Sequence, residues 1–372
     1  MRVGRIAMNG YYGMGNSGDE AVLACALDGI RRERPDASIT VLSGDPEYTS
    51  STYNVRSVRR KSLAAISAIG SSDLYVSGGG SLLQDATSAA SALYYAALMF
   101  TARLLGRRYA IYANGVGPLR RGWVKWLVRA AVQGASSVSV RDSGSMRLLE
   151  QIGVTRGDIL LTADPVFGII PAEADDVIHA VEDAAGAGAA QELKKAWGRI
   201  AIVSLRQWPG LDDGIGALGG MLDALRQRGY VPIGLAFQPE EDRAPLELAA
   251  KASSHGMTVI PCDFHPSITA GIFRMSEVTL GMRLHSLIMS AAATVPALGI
   301  SYDPKVDALF DMLPLGSSVK VEELMDDGEE KLVELLEGLA EHRARLKATL
   351  PPVVERITGA VGHMIKKAEE GR

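Results

Sequence analysis

The chain has 372 residues, 47% of them hydrophobic, a length beyond the size at which one hydrophobic core usually stops growing, so two domains are expected. Lys and Arg number 39 against 43 Asp and Glu, and the resulting charge of −4 excludes the global basic field that nonspecific nucleic-acid binding needs. Two cysteines far apart in apolar surroundings, Cys25 and Cys262, exclude a disulfide scaffold and fit a reduced cytoplasmic protein.

The N-terminal MRVGRIAMNGYYG runs straight into a strand and lacks the apolar core of a signal peptide. No stretch reaches the roughly 20 apolar residues that span a bilayer. The longest, 89–105, is interrupted by Ser91, Thr101 and Arg103 and reads as a buried helix.

In chain order, a strand over 5–8 feeds a glycine turn, 9–19, and a helix over 20–32. Gly10, Gly13, Gly15 and Gly18 let the backbone approach a ligand, while Asn16, Ser17 and Asp19 either cap that helix or hydrogen-bond hydroxyls. The spacing is not the GxGxxG dinucleotide fingerprint. A second strand over 38–42 ends in Gly44 and Asp45. Arg56, Arg59, Arg60 and Lys61 then form a basic cluster, either simply solvated or turned toward a phosphate-bearing or membrane-bound substrate.

A third strand over 73–76 empties into Gly78, Gly79 and Gly80, followed by Gln84 and Asp85. Three successive glycines at a strand's carboxyl end point to close ligand approach, with a plain tight turn as the alternative. A fourth strand over 109–114 gives the turn 115–118 and a helix over 123–133. A fifth, over 137–140, stops at Arg141, where an arginine can hold a carboxylate or phosphate through two hydrogen bonds. A helix over 145–152 and a short strand over 159–162 lead to Ala163, Asp164 and Pro165.

Residues 173–197 are rich in Ala, Gly, Asp and Glu, lack strand character and read as a partly helical junction. It separates an N-terminal domain, 1–172, from a second domain, 198–350, and a C-terminal helix over 351–372 is free to pack back on the first. The second domain opens with a strand over 199–205 that closes on Arg206, Gln207 and Trp208. Helices over 215–228, 240–253 and 266–275 then alternate with strands over 231–236 and 258–260.

Next, Arg283 and His285 stand two apart at a strand-to-helix turn, where free N–H groups and the helix dipole favour an anion. A strand over 295–301 ends at Tyr302, Asp303, Pro304 and Lys305. Consecutive strand ends of a parallel sheet share one edge, so Arg283, His285 and Lys305 are expected on one ligand; the alternative is a core histidine with two solvated cations. Beyond 309 the chain reads as mostly helical, over 322–346 and 352–367. The fold class is therefore α/β, two Rossmann-like domains with parallel sheets facing a cleft.

Walker A, GxSxG, HExxH and Cys-x-x-Cys patterns do not occur, and six scattered histidines argue against a zinc site. What remains is a set of cations, Arg141, Arg206, Arg283 and Lys305, one histidine placed for proton transfer, and glycine loops lined with Asn, Ser, Gln and Asp. Such a set suits transfer of a group from a small, highly charged donor to a hydroxyl acceptor.

The segments GYYGMGNSGDEAVL, GGGSLLQD, GVGP, SVRDSGS, ADPVF and GMRLHSLIMSAAATVPALGISYDPKV occur in the order in which they occur in the polysaccharide pyruvyl transferases, and the chain resembles that family, particularly its bacterial CsaB-type enzymes. The resemblance implies a GT-B-like fold and transfer of a pyruvyl group from phosphoenolpyruvate to a sugar, leaving a cyclic ketal and free phosphate. For CsaB-type enzymes it implies an N-acetylmannosamine acceptor in a cell-wall polymer precursor on a polyprenyl diphosphate, and a ketal that surface-layer proteins recognise. The location implied is cytoplasmic, at the inner face of the membrane. Phosphoenolpyruvate is a substrate, and neither cofactor nor metal is required.

On that reading Arg206, Arg283 and Lys305, with Arg141 and Tyr302 beside them, hold the donor's phosphate and carboxylate. His285 is the general acid/base, since an unperturbed pKa of about 6.5 serves in either direction, or else a phosphate contact. Gly13, Asn16, Asp19, Gly79, Gly80, Gln84 and Asp85 meet the sugar. Asp212 and Asp213 either assist an acceptor hydroxyl or lie in a solvated loop. The competing readings are a nucleotide-sugar glycosyltransferase on the same architecture and a noncatalytic sugar-binding protein.

Overall fold

Short runs buried on both faces build the central strands of this protein, the pattern of parallel sheets covered by helices on each side. The computed structural model describes residues 2–86 and 88–370, which divide into one unit of residues 2–168 with 353–370 and a second of residues 169–352.

The first unit contains β1 (Arg5–Asn9), β2 (Ser38–Ser43), β3 (Arg56–Arg59), β4 (Leu74–Ser77), β5 (Gly80–Leu83), β6 (Arg108–Val116), β7 (Ser137–Val140) and β8 (Leu160–Leu161). Its order is β3-β2-β1-β4-β6-β7-β8, with β5 beside the end of β6, and every pairing is parallel. Polar residues that close the strand ends start the helices. Asn16, Asp45, Ser62, Ser88 and Asp142 each accept a backbone N–H from the first turn that follows. The register of β6 shifts between Ile111 and Asn114, where Ala113 holds a left-handed φ of 46°.

The helix Pro351–Glu370 completes this unit's core. Ala360, Val361, Met364, Ile365 and Ala368 cluster with Leu23, Leu27 and Ile30 of the helix Ser17–Glu33 and with Ile6 and Met8 of β1. Gly29 permits the approach, since a Cβ there would lie 2.8 Å from Val361 Cγ2. Arg34 donates to both oxygens of Glu369, each at 2.7 Å, and Val3 N–H donates to the same carboxylate at 3.0 Å.

The second unit contains β9 (Ile200–Ser204), β10 (Val231–Ala236), β11 (Thr258–Pro261), β12 (Ser276–Gly281), β13 (Ala297–Ser301) and β14 (Gly316–Lys320), in the order β11-β10-β9-β12-β13-β14, again all parallel. The helical part expected within residues 173–197 is present, and one stretch beyond 309 departs from the sequence reading. Residues 173–197 form the helices Ala174–Ala185 and Ala187–Ala196, which bury Val177, Val181 and Leu193 in the second unit; alanine-rich composition is here helix propensity. Residues 316–320, GSSVK, form β14 in a stretch expected to be helical, because pairing with β13 overrides their weak strand propensity.

The helix Ala89–Leu104, expected to be buried, is buried along one side only. Ala92, Tyr95, Ala96, Met99 and Ala102 pack inward, but Leu93 and Leu104 are exposed. Among the described residues no helix is long and apolar enough to cross a membrane. Cys25 and Cys262 lie in different units and form no disulfide with each other.

The terminal helix supplies part of the first unit's core, so Ile365→Ala is expected to destabilise that unit by about 2–5 kcal/mol, read as a lower midpoint in denaturant with the second unit's transition unchanged.

Candidate active site

β9 is the second unit's first strand and sits inside its sheet; the chain builds outward through β10 and β11, then returns to add β12 on the other side. The strand order therefore reverses between β9 and β12, the position at which an open parallel sheet leaves a crevice at its carboxyl ends. Arg206 lies two residues past β9, and His285 is the second residue of the helix Leu284–Ala292, directly after β12. Lys305 is the second residue of the helix Pro304–Met312, after β13, with its N–H held by Asp303 at 3.0 Å.

Arg206 and Tyr302 meet. The guanidinium Nη1 donates to Tyr302 Oη at 3.3 Å, and the guanidinium carbon lies 5.1 Å from the Tyr302 ring and 5.5 Å from the Trp208 ring, whose centroids are 4.7 Å apart. Arg206 Nη2 is 3.7 Å from Glu241. Its Nε is buried and has no hydrogen-bond partner among the described residues, and the same is true of Ser204 Oγ at the end of β9. A buried orphan donor of this kind is costly unless a ligand engages it.

Arg283 is not the free anion-binding cation expected from the sequence. It is buried, its Nε donates to both oxygens of Asp242 at 3.1 Å, and its Nη2 bonds Asp242 and also Glu241 at 3.1 Å. Asp242, fully buried, also accepts Gln238 N–H at 2.9 Å. Burial pushes the Asp242 carboxyl up against the pull of Arg283. Burial alone would lower Arg283, but the Asp242 hydrogen bond and charge outweigh it and keep the guanidinium charged. Arg283 thus ties the turn before His285 to the helix Pro239–Ala252. Asp212 and Asp213 are exposed in the first turn of the helix Leu211–Gln227, and among the described residues no hydrogen bond or ion pair joins either to the Arg206 cluster.

In the first unit the order reverses between β1 and β4, and the two glycine loops leave those strands. Several expected ligand contacts are used internally here. The triple glycine makes room for the chain's own side chains: a Cβ on Gly78 would lie 2.1 Å from Tyr12 Oη and one on Gly79 2.6 Å from Val22 Cγ1. Gly80, at φ 95°, brings the second loop to within 3.0 Å of Asp19 Oδ1 measured from its would-be Cβ. Gly13 packs on Ser43, Asn16 Oδ1 caps its helix, and Gln84 Oε1 accepts Ala86 N–H at 2.8 Å.

Asp85 is fully buried and accepts the N–H groups of Arg120 at 2.6 Å and Arg121 at 2.8 Å, which outweigh burial and hold its carboxyl below the usual range. It clamps the loop after Pro118, with both carboxylate oxygens engaged inside the protein. Arg141, also buried, donates to Asp164 at 2.7 Å and Ser81 at 2.9 Å, joining the ends of β5, β7 and β8. At the ends of β1, β4 and β6, the buried atoms Asn9 Oδ1, Tyr12 Oη, Ser77 Oγ and Asn114 Oδ1 lack a hydrogen-bond partner among the described residues.

A family model described as polysaccharide pyruvyl transferase matches residues 16–304, from the Asn16 cap to the residue before Lys305. The chain belongs to the polysaccharide pyruvyl transferase family. The amylovoran biosynthesis protein AmsJ of Erwinia amylovora is 20% identical to this pyruvyl transferase homologue, over 95% of this chain and 96% of AmsJ. A putative UDP-N-acetylglucosamine 2-epimerase from Listeria monocytogenes superposes with a TM-score of 0.67 at 11% identity, covering 100% of this chain and 98% of that one. A glycosyltransferase from Rickettsia africae gives 0.60 at 11%, covering 100% of both. These two likenesses bear on fold alone, and they place this pyruvyl transferase family member in the GT-B-like class.

Two participants escaped the sequence reading. Asp242 follows β10 as Arg206 follows β9, and the acidic run Glu240-Glu241-Asp242 was the signal available. Glu20 is buried beneath the first glycine loop, where it accepts Gly13 N–H at 2.7 Å and Tyr53 O–H at 2.9 Å. Burial raises its carboxyl to about 7, against the pull of those two bonds.

Because that value lies above the unfolded 4.5, the native state binds the proton more tightly, and stability falls as pH rises from about 4.5 to about 7. The change amounts to about 3 kcal/mol. Glu20→Gln keeps an acceptor for the Gly13 N–H and removes the charge, with the bond to Tyr53 reversed so that the amide donates to the hydroxyl oxygen, and its melting temperature is expected to vary less between pH 5 and 8 than that of the unsubstituted protein. Equal pH slopes for the two proteins would show that Glu20 titrates normally.

Proposed function

We propose that this protein transfers a pyruvyl group from phosphoenolpyruvate to two hydroxyls of an N-acetylmannosamine residue in a lipid-linked cell-wall polysaccharide precursor, in the manner of the CsaB-type enzymes. The observation that carries the donor assignment is Arg206, stacked on Trp208 and Tyr302 where the strand order reverses, with its Nε buried and unsatisfied. An anion at that edge also meets the N-terminal ends of the helices Leu284–Ala292 and Pro304–Met312.

In this scheme Arg206 and Lys305 hold the donor's phosphate and carboxylate. His285 delivers a proton to the methylene carbon, so that C2 becomes an oxocarbenium centre and one sugar hydroxyl adds to it. Phosphate then leaves with its C2–O bond, the second hydroxyl closes the ketal, and of the two hydroxyl protons one balances the new methyl group and the other leaves with phosphate. Arg283 positions the turn that carries His285. Asp19, and Asn16 through the amide nitrogen that its helix cap does not use, are assigned to the acceptor, and Asp212 remains available as a solvent-side base.

Incubation with phosphoenolpyruvate and an N-acetylmannosaminide, free or lipid-linked, is expected to give a product heavier by the pyruvyl ketal in mass spectrometry, with stoichiometric phosphate. Turnover of a UDP-sugar without phosphoenolpyruvate would favour the glycosyltransferase reading instead. His285→Ala is expected to lower kcat by about 10²–10⁴-fold with an unchanged circular dichroism spectrum. Lys305→Ala is expected to raise KM for phosphoenolpyruvate roughly 10-fold with a smaller effect on kcat, the loss of one charged hydrogen bond. A His285→Ala enzyme that kept most of its activity would remove the acid/base assignment.

A further inference from the structure

Three neighbouring helices of the first unit, Leu63–Ser71, Ala89–Leu104 and Gly122–Gly134, cover one face of its sheet. Their inward residues, among them Ala65, Ile69, Ala96, Met99, Val124 and Val128, share one core with Leu42, Tyr75 and Ile111 of the strands. Their outward side is unusual for a protein of net negative charge. Leu63 is 89% exposed, Leu93 48%, Leu104 86%, Trp123 51% and Trp126 68%.

No Asp or Glu occurs between positions 56 and 72, where Arg56, Arg59, Arg60 and Lys61 stand, or between 86 and 141, where Lys and Arg number eight. Several of these cations are themselves exposed, including Arg59, Lys61, Arg103, Arg120 and Arg121. At the far end of the same layer, Arg103, Arg107 and Arg108 line a cavity of about 500 Å³ whose walls carry no carboxylate.

We propose that this outward helical face seats the protein on an anionic phospholipid bilayer. Exposed tryptophan and leucine set among Lys and Arg is the interfacial pattern: indole rings reside at the headgroup level, aliphatic side chains reach the acyl boundary, and the cations meet lipid phosphates. Charge complementarity selects this occupant, since a mixed-charge protein partner would find no carboxylate on these three helices to pair with its own cations. Leu63, Leu93, Trp123 and Trp126 all lie within the first two turns of helices that leave the carboxyl end of the sheet, the end from which the glycine loops also emerge. The proposal stands apart from the chemistry, because it needs neither phosphoenolpyruvate nor an acceptor.

Co-sedimentation of the full chain with vesicles tests it. Binding is expected to be at least 10-fold tighter to phosphatidylglycerol/phosphatidylcholine vesicles than to phosphatidylcholine alone and to weaken between 0.1 and 0.5 M salt. Brominated lipids should quench tryptophan fluorescence, and the double substitution Trp123→Ser with Trp126→Ser should abolish that quenching and weaken binding about 10-fold, whereas Trp197→Ser should leave both unchanged. Since all three tryptophans are exposed, matching melting curves will show that the variants fold.

Absence of binding to anionic vesicles, equal binding to neutral ones, or quenching that survives the double substitution overturns the proposal. So does a dimer in sedimentation that the double substitution dissociates without any effect on vesicles, since the face would then cover a second copy of this chain.

Discussion

Every strand pairing in both sheets is parallel, and this constraint fixes where chemistry is possible. A parallel neighbour can be reached only by a crossover, here nearly always a helix, so each strand's carboxyl end passes into a helix's amino end. Within each unit the loops carrying polar side chains therefore gather at one edge of the sheet, beside unsatisfied N–H groups and the positive ends of helix dipoles. Arg206, His285 and Lys305 are more than 90 residues apart at the extremes of sequence, yet they follow β9, β12 and β13, strands that lie side by side. Reversal of strand order next to β9 then separates two neighbouring loops and leaves room between them.

Much of this was legible because strand ends advertise themselves. The placement of His285 at a strand-to-helix turn and of Lys305 just past a strand end follows from apolar runs and the breaks between them, and the structure has both after neighbouring strands, each already the second residue of a helix. The roles of the glycines and cations were less legible, since a residue type states what it can do and not whom it meets. Three glycines in a row signal close approach, but the approaching atoms are Tyr12 Oη and Val22 Cγ1, residues remote in the pattern. Arg141 and Arg283 look alike in sequence to Arg206. Burial beside Asp164 in one case and Asp242 in the other turns them into internal ties, and no local signal distinguishes a cation held by a buried carboxylate 23 or 41 residues away from Arg206, whose ion-pair partner is the exposed Glu241 at 3.7 Å.

The pairing of Arg283 with Asp242 carries a physical cost that bears on its role. Two buried charges lose several kcal/mol of hydration each, and their mutual attraction offsets this only with good geometry and further hydrogen bonds. Asp242 has both: two contacts from Arg283 Nε at 3.1 Å and the Gln238 amide at 2.9 Å. A hydrophobic pair of similar volume could serve stability as well. What it could not do is fix one direction for the turn between β12 and His285 while leaving a rigid, charged wall next to Arg206, whose Nη2 shares Glu241 with Arg283.

The orphaned polar atoms make the same argument from the opposite side. Most buried donors and acceptors in folded proteins find partners, and each exception costs about 1–3 kcal/mol. Here Arg206 Nε and Ser204 Oγ lie by the reversal point of one sheet, and Asn9 Oδ1, Tyr12 Oη, Ser77 Oγ and Asn114 Oδ1 by that of the other. Nearby, Ala113 holds a left-handed backbone without glycine's freedom. Other buried atoms without a partner among the described residues lie elsewhere, Arg34 Nε, Arg107 Nε, Arg226 Nε, Thr269 Oγ1 and His342 Nδ1 among them, so an orphan points to a ligand only where it stands with further polar groups at a sheet's carboxyl edge, as these two sets do. That juxtaposition of orphaned groups with strand ends and helix amino ends favours reading both edges as sites, and it is independent of which donor or acceptor occupies them.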